Sequence, residues 1–283
     1  MEGPSIRRTE EPLTGSRGNL LFRREWSPPQ PDRALLLVHG LADHSGRYDH
    51  VGAWFAERGC VVHAYDQQGH GRSTGTPGHL RRFSDLLDDL DVVLRFVQAR
   101  HPGLPVFLVG HSMGGLVVTA FARERHPKVA GVVTSGAALR IKGISRAKIF
   151  TTRILSRLLP RLRFDAQIDA AGLSRDPEVV SGYRKDPLVF QKMTLSFARE
   201  LFTAIEGAAG GAGDVQLPML LLHGDADPIC PVGASRDFFD RLAVAERRLE
   251  TYPGLLHEIF NEPERRTVFD DLLGWVREQE CRA

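Results

Sequence analysis

Short apolar runs alternate with amphipathic stretches along most of this chain. Residues 34–38, 60–65, 105–109, 129–134 and 218–223 are largely apolar from end to end, the pattern of strands buried on both faces. Helix-like stretches lie between them: 48–58, closed by Gly59; 85–100, with Ser84 placed to cap it and Asp85, Asp88 and Asp89 near its positive end; and 115–122. Alternation in 248–252 predicts a late strand, and 13–26 reads as a hairpin that turns near 15–19. Residues 1–12 are polar and expected to be loose. Strands that alternate with helices predict a mostly parallel central sheet with helices on both faces, and ligands beyond the carboxyl ends of its strands.

One pentapeptide, Gly110-His111-Ser112-Met113-Gly114, stands where the run 105–109 meets the helix-like stretch after it. A Gly-x-Ser-x-Gly match at a strand-to-helix junction is the context of the nucleophile elbow of α/β-hydrolases, a turn so tight that only small residues fit on either side of the serine. A serine hydroxyl needs a base to take its proton and a carboxylate to hold that base. The chain order in that fold is serine, acid, histidine. Of eleven histidines only His257 lies beyond residue 227, on a loop after the alternating stretch. The acid should close the strand at 218–223, where Gly224-Asp225-Ala226-Asp227 offers two aspartates. The Gly-x-x-Asp offset favours Asp227 and leaves Asp225 to bond turn amides. Oxyanion donors are expected from the backbone N–H of Met113, which follows the serine, and of Leu41, which follows the strand at 34–38. His39 is expected to hold that loop.

Residues 139–213 interrupt the alternation with far more chain than one helix requires, and predict a helical cap over Ser112. The body is then 13–138 and 214–283, with 207–213, rich in glycine, as a flexible joint. From Arg140 to Arg163 the cap carries basic residues interleaved with Ile, Leu and Phe and no acidic residue. Such a segment suits an anionic membrane surface; the alternative is a solvated basic face on a helix whose apolar side packs inward. The chain as a whole is nearly neutral, at +2 with 42% hydrophobic residues, so nothing draws it to nucleic acid. No segment resembles a signal peptide or a membrane span. Three cysteines, Cys60, Cys230 and Cys281, cannot all pair, which suits free thiols in the cytoplasm. No Cys/His spacing suggests a metal, and no cofactor is expected.

The chain resembles the monoacylglycerol lipases of the serine α/β-hydrolase family. The likeness rests on His39-Gly40-Leu41-Ala42-Asp43-His44-Ser45-Gly46-Arg47-Tyr48, Asp66-Gln67-Gln68-Gly69-His70-Gly71-Arg72-Ser73, the pentapeptide with Gly115, and Ala226-Asp227-Pro228-Ile229-Cys230. It implies an α/β-hydrolase fold and a carboxylic ester hydrolase that cleaves a monoacylglycerol, or a related small acyl ester, to glycerol and fatty acid. It supports Ser112, Asp227 and His257 as triad, with Leu41 and Met113 as oxyanion donors. It also makes Tyr183 a candidate contact to the glycerol, with simple packing as the alternative. Cys230 matches a cysteine of some relatives and is either a thiol beside the substrate or a small buried filler. The chain departs from the commoner pattern at Leu41 and Asp43, where a small residue and glutamate are usual. A lysophospholipase or general carboxylesterase with the same triad, and more remotely a non-catalytic binding protein, remain alternatives.

Overall fold

The computed structural model describes residues 5–166 and 168–280. Its strands are β1 (Arg7–Thr14), β2 (Leu20–Ser27), β3 (Arg33–Val38), β4 (Cys60–Tyr65), β5 (Val106–His111), β6 (Gly131–Ser135), β7 (Arg163–Asp165), β8 (Lys192–Thr194), β9 (Met219–Gly224) and β10 (Arg247–Tyr252). The helices are α1 (Asp49–Ala56), α2 (Phe83–Arg100), α3 (Met113–Arg125), α4 (Arg146–Leu158), α5 (Pro177–Lys185), α6 (Leu195–Gly210), α7 (Val232–Arg241) and α8 (Arg265–Glu280). Eight strands form one sheet in the order β1-β2-β4-β3-β5-β6-β9-β10, and β7 and β8 pair separately. From β4 to β10 the sheet is parallel; β1 and β2 join it antiparallel.

Period two along the strands divides the core between the two faces. Leu36 and Val38 face one apolar layer with Leu86, Leu116 and Phe121. Leu35 and Leu37 face the other, with Phe55, Phe107 and Trp275. Every position of β3, β5, β6 and β9 is buried, which is why these segments read as apolar runs. Burial of each large side chain contributes about 1.5–3 kcal/mol. The chain leaves β3 for β4 on one side and returns to β5 on the other. The loops after β3 and β5 therefore sit side by side at a switch point, with Val38 paired to Gly110.

Three expectations are corrected. Residues 7–12 are not loose: Arg7–Thr14 pairs along its length with β2 and turns at 15–19. This is an edge strand, polar because it meets solvent, and Glu10, Glu11 and Arg7 pair with Arg24, Arg23 and Glu25 across the ladder. Residues 1–4 lie outside the described region. Ser84 does not cap α2, which starts at Phe83 after Arg82; the Phe83 N–H instead donates to Glu200 Oε2 of α6 at 2.9 Å. Residues 207–213 are not a flexible joint. Helix α6 continues to Gly210, and a 3-10 turn spans Ala212–Asp214. Arg123 of α3 lies against this end and donates to the Gly207 carbonyl; a Cβ on Gly211 would come within 2.5 Å of it. The glycines there admit a side chain rather than supply freedom.

Residues 139–213, called the cap below, include α4, the β7/β8 pair, α5 and α6. Helix α6 packs against α3 and α4 and so anchors the segment to the body. Helix α4 is inverted for a globular surface. Its buried side chains are Thr152 and Ser156, while Phe150 and Leu158 are 65% and 74% exposed and Ile154, Leu155, Leu159 and Leu162 are exposed as well. The alternative in which the apolar side packs inward is met within α4 by partly buried Ile149, and before it by Ile141 and Ile144. Among the described residues no helix is long and apolar enough to cross a membrane.

Candidate active site

Ser112 stands between β5 and α3 with φ 53° and ψ −117°, a backbone region that costs a non-glycine residue about 1–3 kcal/mol. The strain is held from both sides. The Ser112 N–H donates to Ser135 O and its carbonyl accepts from the Ala138 N–H, each at 2.9 Å. The glycines are obligatory: a Cβ on Gly110 would lie 2.3 Å from Gly114 O, and one on Gly114 would lie 2.0 Å from Val38 O.

His257 lies on the loop between β10 and α8. Its Nε2 is 2.9 Å from Ser112 Oγ and its Nδ1 is 2.7 Å from Asp227 Oδ2. With Nδ1 donating to the carboxylate, Nε2 is left to accept the serine hydroxyl. Gly136, at φ 53°, allows the loop to approach: a Cβ there would lie 2.9 Å from the His257 carbonyl. The ring of His111 covers that of His257, with centroids 4.8 Å apart. Burial first, and then the neighbouring His257, lower the His111 pKa to about 4, so His111 is a neutral wall near neutral pH.

Asp227 follows β9. Its Oδ1 accepts from the N–H groups of Ile229 (2.8 Å) and Cys230 (2.9 Å). His223 Nε2 lies 3.2 Å from Oδ2 and 2.8 Å from Cys230 O, while His223 Nδ1 accepts from Ser235 at 2.8 Å. Burial alone would raise the Asp227 pKa. The charge of His257 and the hydrogen bonds from His223, His257 and the Cys230 amide outweigh it and hold the carboxyl well below the usual range. Asp225 instead accepts from the Gly254 N–H at 2.7 Å.

The loop after β3 lies across from Ser112. His39 Nδ1 donates to Gly40 O (2.8 Å) and its Nε2 accepts from the Gln67 N–H (2.9 Å), so this ring holds the loop. Among the described residues neither the Leu41 N–H nor the Met113 N–H meets an internal acceptor. The Met113 amide is one of the free donors that open any helix. Leu41, Met113, Ser112, His257 and Cys230 line one cavity of about 430 Å³. Its apolar wall includes Ile141, Ile144, Phe164, Met193 and Phe202 of the cap, with Ile229; Asp43 and Glu258 line it as well. The Cys230 thiol is buried within hydrogen-bonding reach of Ser112; burial, then the Asp227 charge, pushes its pKa up. Cys281 lies outside the described residues.

Tyr183 is not part of this wall. It is buried among Ala42, Ala170, Leu173 and Val189, and the Arg47 guanidinium lies 4.9 Å from its ring centre. Glu258 is a residue that the sequence pattern did not single out: it pairs with Arg47 through two contacts of 2.7 Å. A carboxylate directly after the histidine was the available signal, but its partner lies far away in the chain. Among the described residues Glu25, His63 and His101 bring ligating atoms within 4.8 Å of one another. Both Glu25 oxygens already accept from arginines, so this group is an ion-pair cluster.

The arrangement suits acyl transfer: a hydroxyl, an imidazole oriented by a buried carboxylate, and backbone donors beside an apolar cavity. A model of the serine aminopeptidase, S33 family matches residues 29–264. A monoacylglycerol lipase of Mycolicibacterium smegmatis is 37% identical over 275 residues, 96% of this chain and 98% of that protein. Phospholipase YtpA of Bacillus subtilis is 30% identical over 247 residues, 86% of this chain and 95% of that one. The crystal structure of the Paleococcus ferrophilus monoacylglycerol lipase aligns with a TM-score of 0.84 at 33% identity, covering 92% of this chain and 99% of that one. With the fold, the elbow and these relatives in agreement, the chain belongs to the serine aminopeptidase, S33 family of serine α/β-hydrolases.

Proposed function

We propose that this protein hydrolyses a monoacylglycerol to glycerol and a fatty acid through an acyl-enzyme on Ser112. The observation that carries the reading is the cavity itself: Ser112 and His257 share it with an apolar wall supplied by the cap. A volume near 430 Å³ suits a ligand with one chain. In this mechanism His257 takes the Ser112 proton as the hydroxyl attacks the ester carbonyl. The oxyanion is met by the amides of Leu41 and Met113, worth roughly 3 kcal/mol each. Ionised Asp227 fixes the imidazole tautomer and stabilises the imidazolium. His257 then returns the proton to the glycerol oxygen as the C–O bond breaks. A water, deprotonated by the same imidazole, releases the fatty acid.

The carboxylates of Asp43 and Glu258 favour a glycerol headgroup over a phosphate. Burial would raise both pKa values, but the charge of Arg47 prevails and keeps both ionised. Lysophospholipid is the second reading, because Lys142 and Lys148 also line the cavity. The deciding assay compares kcat/KM for a monoacylglycerol and for a lysophosphatidylglycerol of the same chain. A ratio above about tenfold for the monoacylglycerol supports the first reading; the reverse ratio supports the second.

We further propose that α4 docks on membranes. Phe150, Leu158 and their exposed neighbours enter the head-group boundary while the surrounding arginines meet anionic lipid, at about 1 kcal/mol per basic residue. Co-sedimentation with anionic and neutral vesicles over a range of salt tests this. Salt-sensitive preference for anionic vesicles is expected; equal binding to both, or none, removes it.

A further inference from the structure

Two loops bring the reacting groups together from opposite sides of Ser112. One carries the Leu41 amide and the other carries His257. Their relative position decides whether the carbonyl can meet the oxyanion donors and the imidazole together, yet no strand pairing joins these loops.

A buried ion-pair network joins them. Arg47, at the end of the oxyanion loop, donates to both oxygens of Glu258 at 2.7 Å, and Glu258 directly follows His257. The same guanidinium donates to Asp43 Oδ1 at 3.1 Å. Asp43 in turn accepts from the Gly40 N–H (3.2 Å), the His44 N–H (2.8 Å) and the Tyr48 hydroxyl (2.7 Å), so it fixes the backbone on either side of Leu41. Side-chain exposure is 11% for Arg47 and 4% each for Asp43 and Glu258. Asn261 holds Glu258 from the other side at 2.7 Å. The cap closes over the network: the Tyr183 ring lies against the guanidinium, and the Glu258 N–H donates to Leu173 O at 2.7 Å.

We propose that Arg47 is a positioning residue that sets the oxyanion loop against the histidine loop through Asp43 and Glu258, with Tyr183 of the cap holding it in place. A guanidinium is suited to this, because its planar fork meets two carboxylates in fixed directions, whereas an ammonium is a point charge. Arg47 is not part of the cavity wall and acts through the groups that are. The inference rests on the acyl-transfer reading of Ser112 and His257.

The test uses the full chain and a short water-soluble ester, 4-nitrophenyl butyrate, so that membrane access plays no part. Arg47→Lys is expected to lower kcat roughly 10- to 100-fold with KM within threefold, the pattern of a misplaced donor rather than weakened binding. Arg47→Met removes the charge and leaves two buried carboxylates unpaired, so it is also expected to unfold more readily. Arg47→Met combined with Glu258→Met removes the pair together and separates the two effects. It is expected to regain much of the lost thermal stability while kcat stays at least tenfold down. Affinity for a trifluoromethyl ketone, whose adduct places an oxyanion against Leu41 and Met113, should fall in parallel with kcat. A folded Arg47→Lys or double variant with wild-type kcat and ketone affinity overturns the proposal. So does a loss of kcat that simply tracks the loss of folded protein. If the wild-type protein shows no esterase activity and takes up no ketone, the acyl-transfer reading itself has failed.

Discussion

The floor of the cavity and the outer face of its cap meet opposite requirements. On the floor, His257, Asp227, Asp43 and Glu258 are buried, Ser112 is half-buried, and each hydrogen-bonds to at least one other residue. On the cap, Phe150 is 65% and Leu158 74% exposed, and the buried positions of α4 are Thr152 and Ser156. The floor has to hold donors and a charged pair in fixed directions before a transition state forms, which only a crowded, low-dielectric setting achieves. Under the docking proposal the cap presents an apolar surface where a water-insoluble substrate resides. Substitutions on the floor should therefore change chemistry, and substitutions on the cap should change delivery.

The sharpest separation is expected at the elbow. Ser112→Ala and His257→Ala should each lower kcat on any ester roughly 10⁴- to 10⁶-fold while circular dichroism stays that of the wild type. Next is the acid. Asp227→Asn should cost roughly 10⁴-fold, because asparagine favours the wrong imidazole tautomer. Asp225→Asn should cost less than about tenfold, since Asp225 bonds only a turn amide. A larger loss at Asp225 in a well-folded protein would reassign the acid.

Acid should reach the body through its buried histidines. Burial lowers the pKa of His63 and His70 to about 3 and of His111 to about 4. An unfolded histidine titrates near about 6.5, so the unfolded chain binds more protons between these values. Stability from these groups is full above pH ~6.5 and is lost as pH falls toward their folded values. The three together remove roughly 4 kcal/mol by pH 5.5. Urea unfolding at pH 7.5 and 5.5 measures this, and equal midpoints would contradict it.

On the cap, Phe150→Ser with Leu158→Ser should lower the rate on vesicle-borne monoacylglycerol at least about tenfold, given about 1.5–3 kcal/mol for each side chain fully buried. The rate on 4-nitrophenyl butyrate should stay within twofold. Equal losses on both substrates would merge the two regions into one. The smallest effect belongs to Cys230. Cys230→Ala should change kcat less than about threefold. A bulky thiol reagent should attach slowly, because the buried thiol resists ionisation, and should block turnover once attached. Unchanged turnover after confirmed modification would remove that role.

The sequence disclosed what depends on local chain geometry. Gly110, Ser112 and Gly114 mark a turn that tolerates no other spacing, and the apolar runs mark strands buried on both faces. That Ser112, Asp227 and His257 would come together was legible from chain order, because only His257 lies beyond residue 227. The misses share a different cause. β1 is polar because it is an edge, and composition alone cannot tell an edge from a tail. The glycines at 207–213 make room for Arg123, a contact with a distant helix. Tyr183, read either as a glycerol contact or as simple packing, lies on Arg47, and Glu258 finds its partner across the chain. Buried ion pairs carry no periodicity, so their membership appears only when the loops are in place.

The most direct measurement is covalent trapping with a fluorophosphonate bearing a long alkyl chain, followed by intact mass and peptide mapping. One adduct per chain is expected, on Ser112, absent from Ser112→Ala, slowed in His257→Ala, and competed by monoacylglycerol more strongly than by a lysophospholipid of equal chain length. An adduct on another residue, or ester hydrolysis that survives Ser112→Ala, would contradict the account.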